Sequence, residues 1–233
     1  MSKENSDFRY QEYPKTCDKK DFWGQVSRTI NGKPFSDENI QMIIQTIKNK
    51  LDFSPEDNLL DIGCGNGALA NYFFEDCNKY LGVDLSEYLI EVAKEYFEKK
   101  PNYHFINMDA IKYLDYEKKP EKFNKVLCYG TFSYFSFENA ELLLNTLNKR
   151  FTNVNLMFIG NLPDKELAHL FYSKDISYTK ILDSRESSIG IWRSKNEFKQ
   201  LANKSGWEVE FSIMDKNFCA AYYRYDALLK RKR

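Results

Sequence analysis

A glycine-rich turn between a short apolar strand and a helix places the strongest constraint on the fold of this chain. Residues 58–62 predict a strand and residues 67–76 predict a helix. Glycine is needed where the backbone turns sharply and where a ligand approaches the space that a Cβ would fill. The sequence therefore predicts a nucleotide-binding turn at Leu59-Leu60-Asp61-Ile62-Gly63-Cys64-Gly65-Asn66-Gly67-Ala68-Leu69-Ala70.

Strands and helices alternate on both sides of this turn. Strands that are joined by helices of this length are parallel, and helices cover both faces of their sheet. The last two predicted strands have only a short connection between them, which is typical of an antiparallel hairpin. We therefore predict an α/β fold with a three-layer, Rossmann-like, seven-stranded, mainly parallel sheet and a C-terminal antiparallel hairpin. The other predicted elements are a helix capped by Ser36 that contains Ile40 to Leu51, strands at 80–83, 103–107, 125–129 and 154–159, helices at 87–99 and 137–150, a helix with a Ser194 and Glu197 capping box that stops at Gly206, and strands at 207–214 and 219–229.

Charge and cysteine usage exclude several classes of protein. The 34 Lys and Arg residues equal the 34 Asp and Glu residues, so net charge supplies no general attraction to nucleic acid. The five cysteines form no C-x-x-C pair, which indicates reduced thiols and neither a disulfide framework nor a metal site. The sequence has no apolar run long enough to cross a bilayer and no secretory signal. We expect a cytoplasmic monomer or homodimer that binds neither nucleic acid nor a membrane.

Asp61, two residues before the first glycine, distinguishes this turn from one that binds a dinucleotide. A carboxylate there repels a pyrophosphate, but it can accept hydrogen bonds from the ammonium of an amino-acid moiety. The glycines follow G-x-G-x-G rather than the dinucleotide pattern G-x-G-x-x-G. Asp84 ends the next strand about 20 residues further on, where an acid can accept from both ribose hydroxyls. This pair of acids favours S-adenosylmethionine (SAM), which carries an ammonium, over NAD.

A third acid, Asp109, follows the strand at 103–107. In this architecture its carboxylate can accept from the exocyclic amine of adenine, while Met108 and Ala110 offer apolar and backbone contact. An aspartate in this position is also a common helix cap. Both roles are open on the sequence.

The segments LLDIGCGNG, LGVDLS and INMDA resemble the first three motifs of the class I SAM-dependent methyltransferases. The resemblance covers about residues 55–160. It implies a methyltransferase that uses SAM, releases S-adenosylhomocysteine (SAH), and directs the donor methyl group towards the end of the fourth strand. The predicted cofactor-binding residues are Asp61, Gly63, Cys64, Gly65, Gly67, Asp84, Leu85, Met108, Asp109, Ala110 and Tyr129, with Trp23 and Arg28 from the N-terminal segment.

The end of the fourth strand, Tyr129-Gly130-Thr131-Phe132, bears on the methyl acceptor. Enzymes that methylate amino groups of adenine or cytosine carry Asn/Asp-Pro-Pro-aromatic here, and cytosine C5 enzymes use a Pro-Cys nucleophile; neither pattern is present. His104 is expected to be a packed strand residue, so no general base is obvious. Methyl transfer to an anionic acceptor depends mainly on in-line positioning. We expect a small polar acceptor methylated on an oxygen of a sugar, phosphoryl, phosphoramidate or carboxyl group, with Tyr129, Thr131 and His169 as catalytic candidates.

Segments outside the motifs are expected to choose the acceptor. Residues 1–35 predict an N-terminal arm, either a lid or an arm that only packs its aromatic side chains; as a lid, it would bring Trp23 or Tyr13 to the sulfonium and Arg28 to the SAM carboxylate. Residues 36–233 predict the SAM-binding domain, with a substrate-cap insertion at 161–193. Tyr222, Arg224 and Asp226 are expected to alternate with Tyr223 and Tyr225 along a strand. The predicted substrate-binding residues are Tyr13, Arg193, Tyr222 and Arg224.

Other functions remain open at this point. Asp61 and the glycine spacing disfavour an NAD-dependent oxidoreductase, and Tyr129-Gly130-Thr131 stands where an aminopropyl transferase would need an acid. A catalytically silent SAM-fold partner subunit is also compatible with the pattern. The segments at 21–28 and 31–34 are faintly similar to small-molecule methyltransferases of bacterial surface-polysaccharide pathways, which suggests a role in polysaccharide biosynthesis.

Overall fold

Residues 8–172, 178–185, 187 and 189–232 are described by a computed structural model. The chain divides into two units, Met1–Tyr116 and Glu117–Arg233. Beyond a small N-terminal hairpin, the described strands belong to a mainly parallel sheet of seven strands that ends in an antiparallel hairpin, so the predicted fold class is confirmed. None of the described helices is long and apolar enough to cross a membrane. A cytoplasmic location stays a prediction.

The described part of the N-terminal arm is more regular than the sequence predicts. It consists of short helical turns followed by a two-stranded hairpin, whose turn places Gly32 at φ +75°. Asp21 caps its second α-helical turn by accepting from the backbone N–H of Gly24 at 2.9 Å. The segments are a π-helical turn at Phe8–Glu12, helical turns at Tyr13–Thr16 and Phe22–Gln25, and strands at Thr29–Ile30 and Lys33–Pro34.

The rest of the first unit is a parallel β-α arrangement whose strands pair in the order β3-β2-β1. Ser36 caps the first helix as expected, and that helix buries an isoleucine face that includes Ile43 and Ile47. The elements are α1 (Asp37–Leu51), β1 (Asn58–Ile62), a 3₁₀-helix (Ala70–Asp76), β2 (Lys79–Asp84), α2 (Glu87–Tyr96), β3 (Tyr103–Asn107) and α3 (Ala110–Tyr116).

The second unit continues with parallel strands and ends in the antiparallel hairpin. Its strands pair in the order β4-β5-β7-β6. The Ser194 and Glu197 capping box is present as predicted. The elements are a 3₁₀-turn (Pro120–Lys122), β4 (Lys125–Tyr129), a 3₁₀-turn (Phe132–Tyr134), α4 (Phe137–Arg150), β5 (Leu156–Pro163), a 3₁₀-turn (Lys165–Leu167), a helical turn (Ala168–Phe171), α5 (Lys195–Lys204), β6 (Trp207–Ser212) and β7 (Arg224–Arg231).

Three predicted elements differ in the structure. The helix expected at 67–76 is a 3₁₀-helix from Ala70, a segment rich in aromatic residues that lose side-chain freedom in an α-helix. Strand β5 continues through a bulge to Pro163, so the first residues of the predicted 161–193 insertion belong to the sheet. Strand β7 begins only at Arg224, because hydrogen-bonded turns occupy the residues before it.

Candidate functional site

The glycine turn has the backbone conformation that its sequence predicts. Gly63, Gly65 and Gly67 have φ values of +73°, +59° and +77°, a region that other residues rarely adopt. The backbone N–H groups of Gly63 and Cys64 donate to the carbonyl of Val83 at 2.8 and 3.2 Å, which ties the turn to the end of β2. A Cβ on Gly67 would lie 2.7 Å from Cζ of Phe105. The turn therefore needs glycine for both conformation and space.

Asp61 lies at the base of this turn and is 4% exposed. The Tyr80 hydroxyl donates to its Oδ2 at 2.8 Å, while no described side chain or backbone group donates to Oδ1. Burial raises the pKa of Asp61 to about 7, although the Tyr80 hydrogen bond and the positive charge of Arg28 oppose that rise. A buried carboxylate with an oxygen in reserve is suited to bind a cation.

Asp84 organises the turn from the end of β2. Its Oδ2 accepts from the backbone N–H of Gly65 at 2.8 Å, and its Oδ1 accepts from that of Ser86 at 2.9 Å. Burial raises its pKa, against the lowering effect of these backbone donors. Each carboxylate oxygen can accept a second hydrogen bond, so Asp84 keeps capacity for a ligand hydroxyl. The exposed Leu85 follows it, and its carbonyl accepts from the Asn107 amide at 2.8 Å.

Asp109 caps a helix, which is the ordinary structural role that the sequence left open. Its Oδ1 accepts from the backbone N–H of Lys112 at 3.0 Å in the first turn of α3. The neighbouring Met108 donates its backbone N–H to the carbonyl of Asp84 at 2.9 Å. This bond brings the backbone of Met108 beside Asp84.

Asn66, inside the glycine turn, connects the turn to the arm, and the sequence analysis did not identify it. Its Nδ2 donates to the carbonyl of Phe22 at 2.7 Å and to Oε1 of Gln25 at 2.8 Å. Asn66 and Gln25 are each 1% exposed. Val26 is so close that its Cγ1 would lie 2.9 Å from a Cβ on Gly65. The only sign of this role in the sequence is that Asn66 is a polar residue between two glycines.

Replacing Asn66 by alanine is expected to lower the free energy of unfolding by about 2 kcal/mol, because it leaves the buried carbonyl of Phe22 and the amide of Gln25 without their donor. Asn78→Ala is the control, since the Asn78 side chain makes an exposed contact at 3.3 Å and should change stability by less than about 0.5 kcal/mol. Urea unfolding measures both. Equal stability of the two variants would contradict the connection.

Trp23 and Arg28 lie together in the arm. The guanidinium carbon of Arg28 is 5.6 Å from the centroid of the Trp23 ring, within cation–π range. Trp23 also lines a pocket of about 230 Å³ with Phe22, Ala68, Asn71, Tyr72 and Phe97. Tyr13 is half-buried, and burial raises its pKa. These predicted site residues therefore share one unit with Asp61 and Asp84.

The catalytic candidates lie in the second unit and differ in burial. Tyr129 is 4% exposed, and its ring occupies the space that a Cβ on Gly160 would need. Thr131 is half-buried and precedes the 3₁₀-turn at Phe132–Tyr134. His169 is exposed on a four-residue helical turn. His104, expected to be packed, has a side chain that is 39% exposed on the edge strand β3.

The predicted substrate residues do not share one environment. Arg193 is 2% exposed, its Nη2 donates to the carbonyl of Phe135 at 2.9 Å, and burial lowers its pKa to about 10. Arg224 donates to the carbonyl of Asn161 at 2.5 Å. Tyr222 is 52% exposed in the turn before β7. The predicted alternation is wrong, because Tyr222 lies outside the strand and the adjacent Tyr225 and Asp226 are both buried.

Comparison with known proteins finds a family that matches the residues around this site. Residues 59–151, which include the glycine turn, Asp84 and Asp109, match a family described as "methyltransferase domain". The matched residues run from β1 to the end of α4, and the arm precedes them.

Two relatives match this chain over part of their length. An uncharacterized protein of Rickettsia prowazekii (strain Madrid E) is 34% identical over 104 residues, which are 44% of this chain and 41% of the relative. The ribosomal RNA small subunit methyltransferase A of Dehalococcoides mccartyi (strain CBDB1) is 31% identical over 75 residues, 30% of this chain and 26% of the relative. The chain therefore spans less than half the length of either relative.

A solved structure shows the same fold over most of the chain. The magnesium protoporphyrin IX methyltransferase from Synechocystis PCC 6803, solved with bound SAH, aligns with a TM-score of 0.58 at 15% identity. The alignment covers 84% of this chain and 83% of that protein. The chain has the Rossmann-like fold of the class I methyltransferases.

Proposed function

We propose that this protein is a SAM-dependent methyltransferase that methylates an oxygen of a small polar acceptor. The observation that carries the proposal is the pair of acids around the glycine turn, the buried Asp61, whose Oδ1 accepts no hydrogen bond from a described residue, and the half-buried Asp84, which is bonded to Gly65. A glycine turn without these two acids would be compatible with many nucleotide ligands. The matched domain at 59–151 and the solved structure with bound SAH support the same cofactor.

The residues of the first unit fit SAM by their chemistry. Asp61 would hold the ammonium, Asp84 with Leu85 the ribose hydroxyls, and Met108 to Ala110 the adenine. The left-handed backbone of Gly63, Gly65 and Gly67 would turn the backbone of this segment, including Cys64, towards the ligand. When bound, SAM supplies an electrophilic methyl group on a sulfonium. The chain's own task is then to orient the donor and to hold the acceptor oxygen in line with it.

The arm at residues 1–35 is proposed to act as a lid over the cofactor. Its support is the contact of Asn66 with Phe22 and Gln25, which fastens the arm directly to the glycine turn. Arg28 is close enough to lower the pKa of Asp61, so a cation already acts on that carboxylate. The proposed role of Arg28 is to pair with the SAM carboxylate, with Trp23 and Tyr13 near the sulfonium.

The acceptor is proposed to be a sugar, phosphoryl, phosphoramidate or carboxyl-type metabolite, as in surface-polysaccharide pathways. Its support is the set of polar groups that follow the carboxyl ends of β4 and β5, where open α/β sheets bind ligands. Arg193 and Arg224 reach the carbonyls of Phe135 and Asn161 there. Tyr129, Thr131 and Tyr222 complete the candidate set, and the segment 161–193 is proposed to cap it.

Methylation of ribosomal RNA is a second candidate, since a relative carries that name. Two observations favour the small acceptor instead. Tyr129-Gly130-Thr131-Phe132 stands where adenine-methylating enzymes carry Asn/Asp-Pro-Pro-aromatic, and the formal net charge is zero. Incubation with tritiated SAM separates the two: label in purified ribosomal RNA would reject the small acceptor, and label in a small-metabolite fraction supports it.

Calorimetry tests the cofactor directly. We expect SAM and SAH to bind and NADH not to bind, because Asp61 repels a pyrophosphate and attracts an ammonium. Absence of SAH binding would reject the proposal, and binding of NADH would favour an oxidoreductase. Binding of SAM with no methyl transfer to either fraction would favour a silent partner subunit.

A further inference from the structure

Asn161 has a backbone conformation that is rare within a strand. It lies in β5 with φ +67°, at the point where the pairing of β5 with β7 shifts between Ile159 and Leu162. Such a bulge redirects a side chain, and bulges are common beside active sites. A left-handed asparagine in a sheet is strained, and it persists only where its surroundings hold it.

Two side chains of β7 hold the Asn161 backbone in this conformation. The backbone N–H of Asn161 donates to Oδ1 of Asp226 at 2.7 Å, and its carbonyl accepts from Nη1 of Arg224 at 2.5 Å. Asp226 is 1% exposed, so the carboxylate that accepts from this peptide group is buried. Both backbone polar groups of Asn161 are thus bonded to side chains of a neighbouring strand, which fixes the direction of its Cα–Cβ bond.

The Asn161 side chain is directed towards the carboxyl end of β4. Tyr129 pairs with Gly160 in the sheet register, and the N–H of Gly130 donates to the carbonyl of Gly160 at 3.0 Å. A Cβ on Gly130 would lie 3.6 Å from Nδ2 of Asn161. Ligands of open α/β sheets bind outside the carboxyl ends of parallel strands. The carboxamide therefore lies where an acceptor is expected.

The carboxamide of Asn161 is available to a ligand. The residue is half-buried, and its side chain makes no hydrogen bond to any described residue. An amide offers two donors and an acceptor on one planar group, which matches a hydroxyl that both donates and accepts. A carboxylate or phosphate could use only the donors.

We infer that Asn161 binds the methyl acceptor through a hydroxyl group, and that the acceptor is a sugar or another polyol. The role of the ligand as methyl acceptor rests on the proposed function, whereas the binding of a polyol by Asn161 does not depend on it. Asp226 and Arg224 are positioning residues that hold the Asn161 backbone, and the side chain of Asn161 makes the contact.

Nuclear magnetic resonance of protein labelled with ¹⁵N-asparagine tests this contact without turnover. The side-chain signal of Asn161 is the one lost in Asn161→Gly. Glucose, glucuronate and glucose 1-phosphate are the hydroxyl-bearing probes, and acetate and inorganic phosphate are the controls. We expect a hydroxyl-bearing probe to shift the Asn161 signal while the signal of exposed Asn155 stays unchanged. No shift with any of the three, or equal shifts with acetate or phosphate, would overturn the inference.

Variants separate binding from folding. Glycine adopts positive φ without strain, so Asn161→Gly is expected to keep or raise the midpoint of thermal unfolding. Its affinity for the hydroxyl-bearing probe should fall at least tenfold. Asn155→Gly is the matched control and should bind the probe as the wild type does. Asn161→Asp, which still tolerates the left-handed backbone, should keep more affinity for glucose than for glucuronate because like charges repel. Unchanged probe affinity in Asn161→Gly, or a fall of its thermal midpoint without loss of binding, would contradict the proposed contact.

Calorimetry with SAH on the same samples keeps this inference distinct from the proposed function. Asn161→Gly should bind SAH as the wild type does, since the residues proposed to hold the ammonium, the ribose and the adenine lie in the first unit. A wild type that binds the sugar probe through Asn161 but fails to bind SAH would reject the methyltransferase proposal and leave the polyol site standing.

Discussion

Replacing Asp61 by asparagine is expected to make the folded protein more stable at pH 8 and to abolish most of its SAM binding. The pKa of Asp61 is raised from 3.8 to about 7, chiefly by burial. A pKa that is higher by one corresponds to about 1.36 kcal/mol, so the ionised carboxylate costs at most about 4 kcal/mol. Because asparagine also accepts less strongly from Tyr80, we expect a gain of about 2–4 kcal/mol in the free energy of unfolding.

The pH dependence of this effect has a defined sign. Between about pH 4 and pH 7 the folded chain keeps the Asp61 proton that the unfolded chain releases, so this group lowers stability as pH rises. Below about pH 4 the carboxyl is neutral in both states, and wild type and variant should have equal contributions. Urea unfolding at pH 4 and pH 8 measures the difference. A variant that is less stable at pH 8 would contradict the buried, ionised carboxylate.

The same substitution, Asp61→Asn, is expected to weaken the binding of SAM. Loss of a charged hydrogen bond to the ammonium removes about 1.5–3 kcal/mol, so the dissociation constant should rise roughly 10- to 100-fold. Wild-type affinity should fall below pH 7 as Asp61 takes up a proton, whereas the affinity of Asp61→Asn should not follow that titration. Asp37→Asn, in the first turn of α1, is the control and should change neither quantity. Wild-type affinity in Asp61→Asn would show that the ammonium binds elsewhere.

Adding a methyl group at Gly67 is expected to lower the free energy of unfolding by about 3 kcal/mol. At φ +77° an alanine is strained by about 1 kcal/mol, and its Cβ would lie 2.7 Å from Phe105 and 3.1 Å from Cβ of Ala93. Overpacking of a filled core adds about 1–3 kcal/mol, since the buried ring of Phe105 must move.

Gly32 is the matched control for the Gly67 prediction. It has nearly the same conformation, at φ +75°, but nothing lies within 4 Å of the position of its Cβ. Gly32→Ala should therefore cost only the backbone part, about 1 kcal/mol. Urea unfolding measures the loss of stability in both variants, and the difference between the two losses gives the contribution of the steric clash at Gly67. Equal losses would mean that the turn is not packed as tightly against β3 as the distances indicate.

Local sequence patterns were sufficient to predict the strands and several helix ends. Strands β3 and β4 and helix α4 have the predicted bounds, and Ser36 and Ser194 cap their helices. These features depend on the spacing of apolar residues and on hydrogen bonds between residues three positions apart. They can therefore be predicted without knowledge of what packs against them.

The candidate cofactor residues could also be proposed from the sequence, because their signals are short-range. A carboxylate before a glycine turn and an acid at the end of the next strand restrict the ligand by charge and by backbone conformation alone. Asp109 shows the limit of this reasoning: the same residue type at the same place caps α3, and only the 3.0 Å bond to Lys112 reveals it.

What depended on contacts distant in the chain could be seen only in the tertiary structure. Asn66 holds the arm across a separation of about 40 residues, and Asp226 and Arg224 hold Asn161 across more than 60. The bulge that carries Asn161 exists because two side chains on another strand satisfy its backbone, and no neighbour of Asn161 in the sequence indicates that. The chain's local sequence thus decided where the glycine turn forms, whereas the fold decided which polar groups are paired within each unit, because those hydrogen bonds join residues that only folding brings together.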